Sequence, residues 1–272
     1  TSLDGLDLCY VEFEFNGSWS FEIRQTELVE YDQKWRSNLA NAHLVSRSEL
    51  NQLHIDFGKF TAIEVNKFLE KSTLQSPVLI CSHGHTVFHR PNEGITVQIG
   101  DGTVIAAETG ITVVSDFRSL DVLLGGQGAP LVPIGDELLF GNYQACLNLG
   151  GFANISFNQN GSRKAFDVCP VNIALNPLAE QLGFVYDKDG DFSRSGNLNN
   201  DLLERLNGLS IYSNPSRPSM AREWLESEFL PIIDLTQISI IDKMRTIIEH
   251  TAIQVSSTIN KHARGGKVLL TG

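Results

Sequence analysis

The chain has 272 residues, with 21 Lys plus Arg against 32 Asp plus Glu and a formal net charge of -11. So acidic a chain has no bulk attraction for a phosphate backbone, which argues against a general nucleic-acid binder. With 42% hydrophobic and 19% charged residues it is too apolar for disorder, and its length suits one large domain or two lobes. Apolar runs such as Pro77 to Cys81 and Lys267 to Leu270 are strand-length, far short of the ~18 residues of a membrane span, so a soluble protein is expected. No basic leader with a long apolar core opens the chain. Cys9, Cys81, Cys146 and Cys169 include no Cys-x-x-Cys pair, and free thiols in a reducing compartment are expected rather than disulfides.

Taken in chain order, alternation from Leu6 to Phe15 predicts a strand, Asn16-Gly17 a hairpin turn, and Trp19 to Val29 the returning strand. Helical spacing follows over Asp32 to His43 and Ser48 to Ser72, the latter with Ser48 as N-cap. Pro77 to Cys81 reads as a strand buried on both faces, ending at Ser82-His83-Gly84. Thr96 to Ile99 is a strand, Gly102 to Thr109 a short helix, and Ile111 to Val114 a strand that delivers Asp116 at its end. The segment from Leu123 to Asp136, with its Gly and Pro, reads as a non-regular crossover and a lobe boundary. Ala145 to Leu149, Phe152 to Phe157 and Lys164 to Val168 are strands, with a turn over Asn158 to Ser162. Asn172 to Leu182, Asn199 to Leu206 and Ile240 to His262 are helices, and Lys267 to Leu270 is the last strand. The plan repeats after residue 124, which points to two α/β lobes. A strand that reaches Gly272 and stops, and a turn that runs straight into a strand at Thr1, suggest that the protein extends beyond both ends.

Several segments carry chemistry-bearing residues. Thr1-Ser2-Leu3-Asp4-Gly5 is a turn of hydroxyls, a carboxylate and a Gly beside a strand, suited to an anion and a hydrated Mg²⁺, or else a plain β-turn. Gly150-Gly151, leaving a strand before Asn154, offers a second close approach of backbone to phosphate, or a bulge. Asp167 ends a strand and suits a general base, or a cap for the helix starting near Pro170. His83 and His85 alternate with the spacing of a metal-ligand pair, but no neighbouring Cys or carboxylate completes a zinc site. Hydrogen bonding by His83 and Thr86 to a polar ligand fits better. Asp116 and Arg118 follow a strand, where Arg118 could grip an anion in bidentate fashion or pair with Asp116. Asn-x-Ser sequons at Asn16, Asn154 and Asn160 carry little weight without an export signal. No Gly-Lys-Ser or Gly-Lys-Thr of a Walker loop occurs.

In order and spacing, TSLDGLD at Thr1, SHGHTVFHRP at Ser82, TVQIGDG at Thr96, SDFRSLD at Ser115, GGQGAPLVP at Gly125, LNLGGFANIS at Leu147 and FDVCPVN at Phe166 resemble the anhydro-N-acetylmuramic acid kinases. That resemblance implies an α/β, two-lobed, ribonuclease-H-like actin/hexokinase-type ATPase fold, with mixed sheets flanked by helices and the active site in the interlobe cleft. Residues 1–123 would form the first lobe and 124–272 the second. It implies a first phosphate loop at Thr1, Ser2, Leu3, Asp4, Gly5, Leu6 and Asp7, a second at Gly150, Gly151 and Asn154, and Asp167 as catalytic base. The sugar would lie against His83, Gly84, Thr86, Gln98, Asp116, Arg118 and Asn172. ATP and Mg²⁺ are implied, the metal held through water by Asp4, and Thr271-Gly272 would lead into the adenosine loop. A homodimer in the cytoplasm, with no nucleic-acid or membrane partner, is implied likewise.

The reaction implied opens a 1,6-anhydro sugar with water and phosphorylates its 6-oxygen with ATP, in cell-wall recycling. Three departures touch specificity: Cys169-Pro170-Val171-Asn172 where Gly-Pro-Gly-Asn is common, His85 where Gln is usual, and Ser119-Leu120 where basic residues are usual. The same chemistry on another anhydro-sugar, a non-catalytic sensor on the same fold, and a glycosidase using Asp116 and Asp167 remain as alternatives. Retention of Asp4 and Asp167 favours the enzyme over the sensor.

Overall fold

A computed structural model describes residues 3, 5–71, 73–214, 220 and 224–272. The chain divides into two compact units, Thr1–Leu131 and Val132–Gly272, each of mixed α/β structure.

The first unit opens with β1 (Gly5–Phe15) and β2 (Trp19–Glu30), an antiparallel hairpin turning at Asn16-Gly17. Its far end carries Phe13 against Phe21 and Phe15 against Trp19. Gly5 is required where β1 meets β2, since a Cβ there would fall 2.5 Å from the Val29 carbonyl oxygen. Helix α1 (Gln33–Ala40) is capped by Asp32, and α2 (Arg47–Glu70) by a reciprocal capping box of Ser46 and Glu49. This corrects the expected cap at Ser48: the Glu three residues beyond Ser46 returns its carboxylate to the Ser46 N–H, which no residue after Ser48 does. Tyr31, Leu39, Ala42, Phe57 and Ile99 form the core that α2 and the hairpin base cover.

β3 (Leu79–Ser82) pairs in parallel with β6 (Thr112–Ser115), and β4 (His85–Arg90) pairs antiparallel with β5 (Ile95–Ile99). The expectation of a strand buried on both faces near Pro77 is not met. β3 alternates exposed and half-buried residues in a two-stranded ribbon, and Val78 is 90% exposed. The segment His85–Arg90, which carries two of the clustered histidines, is itself a strand. Helix α3 (Gly102–Thr109) starts on Asp101, whose Oδ1 accepts from the Thr103 and Val104 amides. A short α4 (Ser119–Leu123) follows β6.

The crossover expected to be irregular contains a helix, α5 (Val132–Leu139), because Pro133 falls in its first turn, where a missing N–H costs nothing. In the second unit a four-stranded sheet has the order β10-β7-β8-β9: β7 (Ala145–Leu149), β8 (Phe152–Gln159), β9 (Ser162–Pro170) and β10 (Val268–Thr271). β10 and β7 are parallel, the other pairs antiparallel. Asn160 and Gly161, both at positive φ, close the β8-β9 turn. Helix α6 (Asn172–Gln181), two shorter helices α7 (Asp191–Ser195) and α8 (Asn200–Asn207), and the 23-residue helix Ile240–His262 surround a core of Leu147, Ile155, Val168, Leu202, Phe229 and Ile247. Among the described residues, no helix is long and apolar enough to cross a membrane.

Candidate functional site

In the first unit, the carboxyl ends of β3 and β6 and the N-terminus of α3 enclose a cavity of about 330 Å³. His54, His83, Gln98, Asp101, Ser115 and Asp116 are among its lining residues. Gly102 is needed where α3 meets β6, because a Cβ would fall 2.3 Å from the Ser115 hydroxyl. Asp116 holds a positive φ of 56, a conformation Asp tolerates better than most residues and one that recurs at functional sites. Its Oδ1 accepts from the Ser119 amide.

Of the expected sugar residues of the first unit, His83, Gln98 and Asp116 line this cavity, whereas Gly84, Thr86 and Arg118 do not. Arg118 Nε donates to His83 Nε2 at 3.0 Å, and Nη1 donates to the Gly128 carbonyl at 2.6 Å. A guanidinium has no acceptor, so His83 Nε2 must be unprotonated and Nδ1 carries the hydrogen, donated to the Gly84 carbonyl at 2.9 Å. Burial lowers the His83 pKa, the Gly84 bond opposes that, and the Arg118 charge adds to it. No ion pair joins Arg118 to Asp116 among the described residues, so the guanidinium is tied to the imidazole and the Gly128 carbonyl instead.

Gln98 donates to Thr96 Oγ1 at 2.9 Å and to Thr86 Oγ1 at 3.4 Å, leaving its buried Oε1 without a hydrogen-bond partner. Thr96 Oγ1 also lies 3.2 Å from His89 Nδ1, so its one hydrogen can serve His89 while it accepts from Gln98. A buried acceptor lacking a donor beside a polar cavity is a place for a ligand N–H or O–H. His85 is not in the lining. It is buried in the first unit, its ring bonded to the Leu39 backbone, and burial pushes its pKa down to about 4.

In the second unit, β-register assembles another group. Thr271 faces Asn148, Asn148 faces Asn154 and Asn154 faces Asp167, giving one polar row across all four strands. Directly opposed residues share a face, with Cβ atoms ~4.5 to 5.5 Å apart. The row lies near the carboxyl ends of the parallel strands β7 and β10, where open α/β sheets bind ligands. One step back, Leu147 and Ile155 point the other way into the core.

A bulge near Asn154 and Asp167 makes this possible. Val168 is the extra residue, so both Val168 and Cys169 enter the core while Asp167 stays on the polar face. Asp167 Oδ2 accepts the Met220 amide at 2.9 Å, and it does not cap α6, whose N-cap Val171 has no side-chain bond. Gly150 and Gly151 turn back onto that helix: the Gly151 carbonyl accepts from Val171 and Ile173, and the Gly150 carbonyl from Asn172. Asn172 is exposed at the first position of α6.

Of the expected first phosphate loop, Thr1, Ser2 and Asp4 lie outside the described residues. Leu3 is exposed, Gly5 buried, Leu6 half-buried and Asp7 exposed on β1. Among the described residues no group of three His, Cys, Asp or Glu could hold a metal ion. A Mg²⁺ carried by phosphates and water needs only one carboxylate, so this donor set neither builds a protein cage nor requires one.

Three members of these groups were missed in the sequence. His54 sits inside α2, where its spacing marks only a helix, yet its Nδ1 accepts the Gly100 amide at 3.1 Å and its Nε2 lies 3.8 Å from Asp101 Oδ2. Asp101 directly precedes the helix predicted from Gly102 and caps it through Oδ1. Asn148 reads as a strand residue, and only its register with Asn154 reveals the row.

The family model of anhydro-N-acetylmuramic acid kinases matches residues 1–272. The anhydro-N-acetylmuramic acid kinase of Shewanella frigidimarina (strain NCIMB 400) is 33% identical over 287 residues, spanning 100% of this chain and 77% of that protein. The protein of the same name from Shewanella sp. (strain MR-4) is 34% identical over 288 residues with the same coverage. That of Shewanella denitrificans is 32% identical over 287 residues, again spanning 77% of the relative.

Proposed function

Since the chain belongs to the anhydro-N-acetylmuramic acid kinase family, we propose that it opens the 1,6-anhydro bridge of anhydro-N-acetylmuramic acid with water and phosphorylates the 6-oxygen with ATP. The products are N-acetylmuramic acid 6-phosphate and ADP, and the setting is cell-wall recycling in the cytoplasm. We propose with it the two-lobed actin/hexokinase-type architecture, residues 1–123 and 124–272 being the lobes.

The observation that carries this reading is the seat of Asp167. The bulge in β9 turns it onto the polar row, and its Oδ2 accepts the Met220 amide while Val171 rather than Asp167 stands at the N-cap of α6, which supports reading this carboxylate, three residues before the end of β9, as a base rather than a helix cap. Asp167 removes a proton from the water that attacks the anomeric carbon. The bond from that carbon to the bridging oxygen breaks, and the freed 6-oxygen attacks the γ-phosphorus, releasing ADP. The proton on Asp167 then passes to solvent. Gly150, Gly151 and Asn154, with Thr1 to Asp7, hold the phosphates. Asp4 would hold a Mg²⁺ through water, and the ion would supply charge neutralisation on the transferring group. In the first unit, Gln98 Oε1 accepts a sugar N–H or O–H, Thr86, Gly84 and Asp116 line the sugar, and Arg118 takes the lactyl carboxylate; Asn172 on α6 is proposed as a further sugar residue.

The test is ADP release by the full protein on a panel of anhydro-sugars, with the phosphate position read by mass spectrometry and NMR. Turnover of the muramic substrate with phosphate on the 6-oxygen supports the reading. Binding without ADP release would make the chain a sensor, and turnover confined to sugars lacking the lactyl group would change the substrate.

A further inference from the structure

Two segments, 35 positions before and 10 positions after it, meet on the Arg118 side chain. Arg118 is held by His83 on one side and by the Gly128 carbonyl on the other. Each of these is itself pinned. His83 is oriented by the Gly84 carbonyl, and Gly84, at φ 71, sits so close to Ile99 that a Cβ would fall 2.3 Å from its carbonyl oxygen. Gly128, at φ 64, donates its amide to Asp121 Oδ2 at 2.6 Å, and a Cβ there would lie 2.6 Å from Val122 Cγ2. Asp121 also accepts the Gly126 amide on its backbone oxygen at 2.8 Å.

We infer that His83 is a positioning residue: its neutral imidazole, with the Gly128 turn fixed by Asp121, seats the Arg118 guanidinium for an anionic group of the substrate instead of contacting the sugar itself. This rests on the proposed substrate carrying a lactyl carboxylate. A guanidinium has five N–H bonds, of which His83 and Gly128 take one each, so three remain for an incoming carboxylate. Because Nε is already committed to His83, the anion must approach the two terminal nitrogens. Both ring nitrogens of His83 are likewise committed, which leaves the imidazole no polar atom for a sugar hydroxyl.

A consequence is acid sensitivity. Protonation of His83 would put an N–H where the lone pair accepts from Arg118 and set two cations 3.0 Å apart. The other ionisable groups around it are His85 and His89 on β4, Asp116 after β6, Asp121 on α4, His54 on α2 and Asp101 at the start of α3. His85 and His89 have pKa values lowered first of all by burial, so neither supplies a competing positive charge near neutrality.

The experiment compares His83→Gln with His83→Leu in the full chain. Gln places an amide oxygen where Nε2 accepts and cannot titrate; Leu offers no acceptor. His83→Leu should raise KM for anhydro-N-acetylmuramic acid roughly tenfold more than KM for anhydro-N-acetylglucosamine, which lacks the lactyl group, with a smaller effect on kcat. His83→Gln should restore the muramic KM at pH 7.5 and abolish its rise below pH 6.5 in the parent enzyme. Equal losses in both variants would make the imidazole a direct ligand, and equal losses on both sugars would make it structural. Either result overturns the inference. A second readout is independent of turnover: the ¹⁵N resonance of Arg118 Nε should move in the Leu variant and stay near its parent position in the Gln variant. No shift in the Leu variant would remove the seat itself, whereas a parent enzyme inactive on both sugars with this shift intact would remove only the proposed substrate.

Discussion

The two units position polar groups by different means. In the second, Thr271, Asn148, Asn154 and Asp167 are lined up by β-register, and a single bulge decides which way Asp167 faces. In the first, His83, Asp116 and Arg118 sit on loops after strands and are held by single contacts, as Arg118 is by His83 and Gly128 and Asp116 by the Ser119 amide. A hydrogen-bonded sheet resists displacement because moving one residue shifts a whole row. A seat built from loops depends on every link in it. The division suits the proposed chemistry: a proton-transfer group must be held to a few tenths of an ångström, while recognition of a substituent can tolerate a looser frame.

The largest expected effect tests the sheet-borne group. Asp167→Asn removes the proposed base but keeps an oxygen to accept the Met220 amide, so the row should persist. Turnover should fall ~100-fold or more with ATP affinity within about twofold, since general-base catalysis contributes about that factor. Rapid-quench turnover with calorimetric ATP binding decides it. Near-normal turnover would leave Asp167 a structural member of the row and erase the contrast between the units.

Next comes the loop-borne group. Arg118→Ala should raise KM for the lactyl-bearing sugar by ~10 to 100-fold, corresponding to a charge-assisted contact of ~1.5 to 3 kcal/mol. The anhydro-sugar without the lactyl acid should be affected much less. Steady-state kinetics on both sugars checks this, and equal losses would mean that Arg118 only braces the Gly128 turn.

Much of this arrangement is legible before any coordinates. Hydrophobic periodicity places α3, β7 and the Ile240–His262 helix at the predicted residues, because each is bounded by a cap, a glycine or a turn with its own local chemistry. The errors fall where tertiary context decides. The Pro77 to Cys81 run is apolar enough for a central strand, but whether a strand is central depends on how many neighbours it acquires, and β3 pairs only with β6. Pro133 signals a break in isolation and a helix start once Val132 precedes it. The site divides the same way. Asp116 and Arg118 announce themselves as charges after a strand and Asp167 as a charge near the end of one, whereas His54 is one polar residue on an amphipathic helix until the Gly100 amide meets it. The link from His83 to Arg118 spans 35 positions and has no local signature at all.

The smallest expected effect concerns a buried histidine in each unit. His250 is fully buried, its Nδ1 against Asn207 Oδ1 at 2.8 Å and its Nε2 against the Tyr212 hydroxyl at 3.0 Å. Asn207 Oδ1 also accepts from Gln254, so His250 donates through Nδ1 and accepts from Tyr212 through Nε2, and the ring is neutral. Burial pushes its pKa to about 4, as it does for His85. Both folded values lie below the unfolded value of 6.5, so the unfolded chain takes up protons first as pH falls. The stability these neutral rings contribute is therefore complete above pH 6.5 and lost between 6.5 and about 4. Carboxylates behave differently. Asp242, held below its usual range chiefly by the Asn197 amide and then by Ser239, gives up its contribution at lower pH. Between pH 7.5 and 5 each histidine should cost about 1 to 2 kcal/mol of unfolding free energy, after allowance for relaxation around a buried charge. Urea unfolding of His250→Gln and His85→Gln, read separately in each unit by local tryptophan or NMR probes, measures it. Each variant should flatten the acid dependence of its own unit and leave the other's unchanged. His85→Gln should do so with the smaller loss at pH 7.5, since His250 leaves two bonded partners, Asn207 and Tyr212, behind when it is replaced. Flattening in both units by either variant would show that the two unfold as one, and a persistent acid loss in both would assign the effect to carboxylates instead.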